Sequence, residues 1–98
     1  MTAPITVLVV EDDFLIRTCL TEFLEESDFQ VIEADDCASA ERAFQGEQEI
    51  DVVVMDISLP DGNGIDLGKT AGAVLPDIPI YYTSCHGNSG NGVVRGRR

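Results

Sequence analysis

Basic residues are scarce in this sequence: six Lys and Arg stand against 18 Asp and Glu, leaving a net charge of −12. Phosphate contacts need a basic face, so nucleic-acid binding is disfavoured, and anionic membrane surfaces for the same reason. Long apolar runs are absent too. The longest uninterrupted ones are four residues, far short of a transmembrane helix. No basic segment followed by an apolar stretch opens the chain, so no signal peptide is expected. Cys19, Cys37 and Cys85 are odd in number, widely spaced and free of any C-x-x-C pair. That pattern suits reduced thiols better than a disulfide framework or a zinc site. These absences predict a soluble, cytoplasmic chain.

What is present is a globular composition, 44% hydrophobic and 24% charged over 98 residues. One domain is expected, burying roughly 60–65% of its unfolded surface around a modest core. Val7-Leu8-Val9-Val10 is a continuous apolar run that stops at Glu11-Asp12-Asp13. Continuous apolarity predicts a strand buried on both faces, as in a parallel sheet. Asp13 is placed to cap a helix in which Ile16, Leu20, Phe23 and Leu24 repeat at helical spacing, the last three read as core side chains, and which ends near Glu26-Ser27-Asp28.

The alternation continues. Residues 29–34 read as a second strand, and Asp35-Asp36 opens a helix that stops at Gly46. Residues 50–55 form a third strand closed by Asp56. Leu59-Pro60-Asp61-Gly62-Asn63-Gly64 is turn-rich, and a helix diluted by Gly68 and Gly72 follows over residues 65–75. Residues 78–83 give a fourth strand. The order β-α-β-α-β-α-β implies parallel strands with right-handed crossovers. The sequence therefore divides into a domain over residues 1–84 and a flexible, glycine-rich, basic tail over residues 85–98, where Arg95, Arg97 and Arg98 supply half of all the basic side chains.

Ligands of parallel sheets bind at the carboxyl edge of the strands. Glu11 and Asp12 end the first strand and Asp56 ends the third, so neighbouring strands would bring three carboxylates together. Such a cluster is costly unless a cation compensates it, and hard oxygen ligands suit Mg2+, with Mn2+ as an alternative. A cation would also offset the repulsion when the Asp56 carboxylate attacks a phosphoryl group, chemistry that aspartate supports. Thr83, at the end of the fourth strand, offers a hydroxyl to a phosphate oxygen. Taken singly, acids at strand ends are ordinary solvated loop residues. The combination of an apolar run into Glu-Asp-Asp with another into Asp56 is more specific.

These stretches closely resemble the response-regulator receiver family of two-component signalling, from about Val7 to Ser84. Val7 to Asp13 resembles the family's first strand and acidic pair, and Asp51 to Asp56 resembles the strand carrying its phosphorylated aspartate. Leu59 to Gly64 looks like the following loop, and Ile80-Tyr81-Tyr82-Thr83-Ser84 like the strand ending in the switch residue. The resemblance implies a flavodoxin-like (CheY-like) α/β fold, a parallel sheet with helices on both faces, here with four strands in the order 2-1-3-4. It implies phosphorylation of Asp56 by a sensor histidine kinase or phosphotransfer protein. It also implies Mg2+ held by Asp12, Asp56 and the Ser58 backbone carbonyl with help from Glu11, and a Thr83 that turns towards the phosphate.

The family pattern continues with a helix, a fifth strand ending in Lys-Pro, and a last helix, none of which is visible here. The only lysine is Lys69, on the third helix, so no counterpart of the family lysine is found. The fourth strand becomes an open edge, and the first helix alone must cover its face of the sheet. Self-association as a homodimer or higher oligomer follows as an expectation. Tyr82 fits a switch aromatic and, equally, a strand core or edge position. His86 reads as solvated, Cys85 as a bystander near the site, and the terminal arginines as a solvated tail.

The leading function is a phosphoryl-accepting, single-domain response regulator that is not an enzyme and whose downstream protein partner the sequence does not identify. The alternative is a degenerate receiver acting as a constitutive dimerisation or docking module. A metal-dependent phosphohydrolase is weaker, because Ser58 supplies no general acid or base beside Asp56.

Overall fold

The computed structural model describes residues 4–46 and 48–83, and residues 93–96 as backbone. The elements run β1 (Thr6–Val10), α1 (Phe14–Glu26), β2 (Gln30–Ala34), α2 (Cys37–Gln45), β3 (Val52–Asp56), β4 (Ser58–Leu59), β5 (Gly62–Asn63), α3 (Gly64–Val74), β6 (Ile80–Thr83) and β7 (Val93–Gly96).

β1, β2, β3 and β6 form a parallel sheet in the order β2-β1-β3-β6, the order expected for the first four long strands. Its apolar runs serve two faces. Leu8, Val10, Val53, Met55 and Ile80 meet Ala40 and Phe44 of α2 and Leu67 and Ala71 of α3 in one core. Val7 and Val9, also buried, alternate to the other face, where α1 packs on β1 and β2. Full burial of each large side chain is worth about 1.5–3 kcal/mol, so the two inner strands carry much of the stability. None of the helices among the described residues is long and apolar enough to cross a membrane.

Helix ends follow the sequence signals. Asp13 accepts from the amides of Leu15 and Ile16, and Asp36 forms a capping box with Ser39. The turn-rich loop contains a miniature antiparallel hairpin, β4–β5.

Two expectations are corrected. The strand ending at Thr83, expected to be the open edge of a four-stranded sheet, is instead paired: β7 runs antiparallel along it, with Thr83 opposite Val93 and Ile80 opposite Gly96. An edge strand's unpaired N–H and C=O groups are satisfied by any extended segment that reaches them, and four residues suffice here. Of the proposed tail, this strand is described, and residues 84–92 and 97–98 lie outside the described residues. Second, Phe23 is not core: it is 65% exposed, and Leu20 and Leu24 are only half-buried. Residues 16, 17, 20, 21 and 24 form the helix stripe turned to the sheet, and Phe23 sits roughly 100° away from Leu24 around the axis. Phe14 and Leu15 are exposed as well, at 66% and 71%.

Candidate functional site

β1 and β3 are direct neighbours, with Val10 opposite Met55, so their carboxyl ends deliver Glu11 and Asp56 to one notch. Glu11 is 2% exposed and Asp56 is 4% exposed, whereas Asp12 faces solvent. One carboxylate oxygen from each of Glu11, Asp12 and Asp56 lies within 4.8 Å of the others. Two of these acids are buried and the third is open to solvent.

The local backbone explains how like charges are held together. The Glu11 amide extends the β1–β2 ladder by donating to the Ala34 carbonyl (3.0 Å). The Glu11 Oε2 accepts from the Asp13 amide (3.1 Å), fixing one end of the carboxylate. Among the described residues, the other oxygen, Oε1, is buried without a hydrogen-bond partner. Burial, reinforced by the Asp56 charge, holds the Glu11 carboxyl up at about 7 against an ordinary 4.5, while the Asp13 amide pulls the other way. A buried, partnerless carboxylate oxygen beside two further carboxylates fits a hard divalent cation, which would satisfy it.

Asp56 is fixed from the following turn. Its Oδ1 accepts from the Ser58 amide (3.2 Å). The Ile57 amide donates to the Thr83 carbonyl (3.1 Å) and the Gly64 amide to the Ile57 carbonyl (2.6 Å). A Cβ on buried Gly64 would collide with the Asp56 carbonyl. That glycine lets the start of α3 close against the site, a role for which its place in a turn-rich string is the only sequence signal.

Thr83 is the register partner of Asp56 and is buried, so the hydroxyl residue does stand beside the acidic notch. Ser58 is adjacent to Asp56 through its amide. Tyr82 is half-buried on the opposite face, packed on the core shared with α3, and its hydroxyl occupies the space above Gly68. Burial raises its pKa above the ordinary value. Lys69 is exposed on α3. Cys85, His86, Arg97 and Arg98 lie outside the described residues, and Arg95 is described as backbone in β7.

Two contributors escape sequence reasoning. Arg17, on α1, donates to the Glu11 carbonyl (2.9 Å) and to Glu33 Oε1 (3.0 Å). Its only signal is that it is the sole basic residue before Arg42. Asp61, read as a turn residue, accepts from the amides of Cys37 (2.7 Å) and Ala38 (3.1 Å), tying the β4–β5 hairpin to the start of α2. Those amides hold its carboxyl below the usual range. Cys37 is pushed up to about 11 from 9.0, chiefly by burial and then by Asp61.

A family model described as "Response regulator receiver domain" matches residues 7–94. Over 76 residues, the chain is 33% identical to the response regulator receiver protein CpdR of Brucella abortus, covering 78% of this chain and 62% of that protein. A cyclic di-GMP phosphodiesterase of Thermotoga maritima is 32% identical over 81 residues, 83% of this chain and 21% of that protein. The chain thus spans less than two thirds of the length of these curated relatives. Among solved structures, the non-phosphorylated HemR receiver domain of Leptospira biflexa superposes with a TM-score of 0.77 at 32% identity, covering 89% of this chain and 68% of that one. Matched by a receiver model over residues 7–94, and folded as receivers fold, the chain belongs to the response regulator receiver domain family.

Proposed function

We propose that this chain accepts a phosphoryl group on Asp56, with Mg2+ (Mn2+ as an alternative) held by Glu11, Asp12 and Asp56 and completed by the Ser58 carbonyl. Receiver domains accept phosphoryl groups from histidine kinases or phosphotransfer proteins. A sensor histidine kinase or phosphotransfer protein is accordingly the proposed donor here, and the cytoplasm the proposed compartment. The single observation that carries the reading is a buried Glu11 oxygen with no hydrogen-bond partner among the described residues, on a side chain that clusters with Asp12 and buried Asp56.

When bound, a divalent cation would neutralise the approaching anions and the charge developing on the transferred group. The residues do the rest. The Ser58 amide orients the Asp56 carboxylate by holding Oδ1, which leaves the second oxygen to attack phosphorus. The new O–P bond forms as the bond from phosphorus to the donor's leaving atom breaks. That atom keeps the bonding pair and takes a proton from solvent. The Thr83 hydroxyl, at the neighbouring strand end, is the proposed partner of a phosphoryl oxygen and the proposed moving part. Tyr82 takes no part in this contact, because strand alternation directs it to the α3 face.

The test is incubation with acetyl phosphate and Mg2+, read by intact mass. The reading expects the gain of one phosphoryl group, lost in Asp56→Asn and on chelation; no gain with any donor would remove it.

A second reading is a constitutive dimerisation or docking module, favoured by the exposed Phe14, Leu15 and Phe23 on α1. Sedimentation at several concentrations separates the two. A dimer indifferent to beryllofluoride supports the docking role, and one that responds to it supports the phosphoryl switch.

A further inference from the structure

We propose that Arg17 is a positioning residue for the acidic notch, fixing the Glu11–Asp12 turn so that its carboxylates converge on Asp56; the inference rests on the divalent-cation reading of that notch. Three contacts lock the guanidinium. One η nitrogen donates to the Glu11 carbonyl (2.9 Å), Nε donates to Glu33 Oε1 (3.0 Å), and the group lies over the Phe14 ring, 5.6 Å from its centroid. The Arg17 side chain is only 15% exposed. Its own amide donates to the Asp13 carbonyl (2.9 Å), so a single residue holds the main chain on both sides of Asp12.

The direction in which the Glu11 and Asp12 side chains leave the backbone depends on the peptide planes of this turn. Mutual repulsion of the three carboxylates would splay them apart. A charge-assisted bond to the Glu11 carbonyl resists that movement through the main chain, without occupying a carboxylate ligand position. Glu33, on β2, anchors the guanidinium to the sheet, so the brace spans α1, the turn and β2. The fork geometry matters: a lysine has one nitrogen to serve both the Glu11 carbonyl and Glu33.

The test measures Mn2+ dissociation constants by electron paramagnetic resonance of free Mn2+ under mildly alkaline conditions, beside melting of the metal-free protein. Loss of an outer partner of a metal site typically weakens affinity on the order of 10–100-fold. Arg17→Met is expected at the low end, about tenfold, with Arg17→Lys intermediate. Glu33→Gln, at an exposed position, is expected to weaken binding about two- to threefold by loosening the guanidinium. A purely structural role would lower the melting temperature and leave Mn2+ affinity of the folded protein unchanged, and that result overturns the inference. If Arg17→Met does not fold, unchanged affinity in Glu33→Gln overturns it instead. Wild-type protein that binds no Mn2+ would sink the divalent-cation reading itself, and the inference with it.

Discussion

Glu11 and Asp56 stand at the ends of adjacent parallel strands, two carboxylates removed from water with oxygens no more than 4.8 Å apart. The folded state keeps a proton on Glu11 up to about pH 7, whereas the unfolded chain releases it near 4.5. Between those values the folded state binds more protons, so stability falls as pH rises through this window. Glu11→Gln removes the dependence. In metal-free protein at alkaline pH, the variant should be more stable than wild type by on the order of 1–2 kcal/mol, less than the full shift would give because the exposed Asp12 beside it leaves the cluster partly screened by solvent. Urea titrations at a series of pH values measure it. Equal pH dependence in the two proteins would contradict the burial argument.

Asp61 works in the opposite sense. Its carboxyl titrates below the ordinary 3.8 because the folded state presents it with the amides of Cys37 and Ala38. The stability it supplies is present above that value and is lost as pH falls through the folded pKa. Asp61→Ala should lower the melting temperature at neutral pH and match wild type in strong acid. Amide exchange should also quicken at Cys37 and Ala38, the positions left without an acceptor.

Gly68 and Tyr82 form a size pair between α3 and β6. A methyl group on Gly68 would overlap the Tyr82 hydroxyl. Gly68→Ala gains roughly 1 kcal/mol of helix propensity but overpacks the contact by typically 1–3 kcal/mol. A net loss is expected in wild type. With Tyr82→Phe in place the loss should shrink or reverse, because the overlapping atom is gone. A double-mutant cycle with zero coupling would show that the two residues do not meet.

The legible parts of this chain are those where one residue type does one local job. Two apolar runs ending in acids located the notch, because strand burial and strand termination are both written in consecutive residues. Asp13 and Asp36 announced their helices for the same reason. The illegible parts depend on partners distant in sequence. Val93–Gly96 is too short and too poor in pattern to read as a strand, and it becomes one only by lying along β6. Phe23 carries core chemistry, yet the stripe turned to the sheet passes it by. Gly68 reads as a weak spot in a helix, although its missing side chain makes room for Tyr82. Arg17 gives no local hint of the Glu11 carbonyl that it holds.

The most direct measurement locates the phosphoryl group itself. Protein treated with acetyl phosphate is trapped with borohydride, which reduces an aspartyl phosphate to homoserine, and its peptides are mapped by mass. The account predicts homoserine at position 56 alone, dependent on Mg2+ and abolished by Asp12→Asn. Homoserine at another acid, or at position 56 regardless of metal, would contradict it.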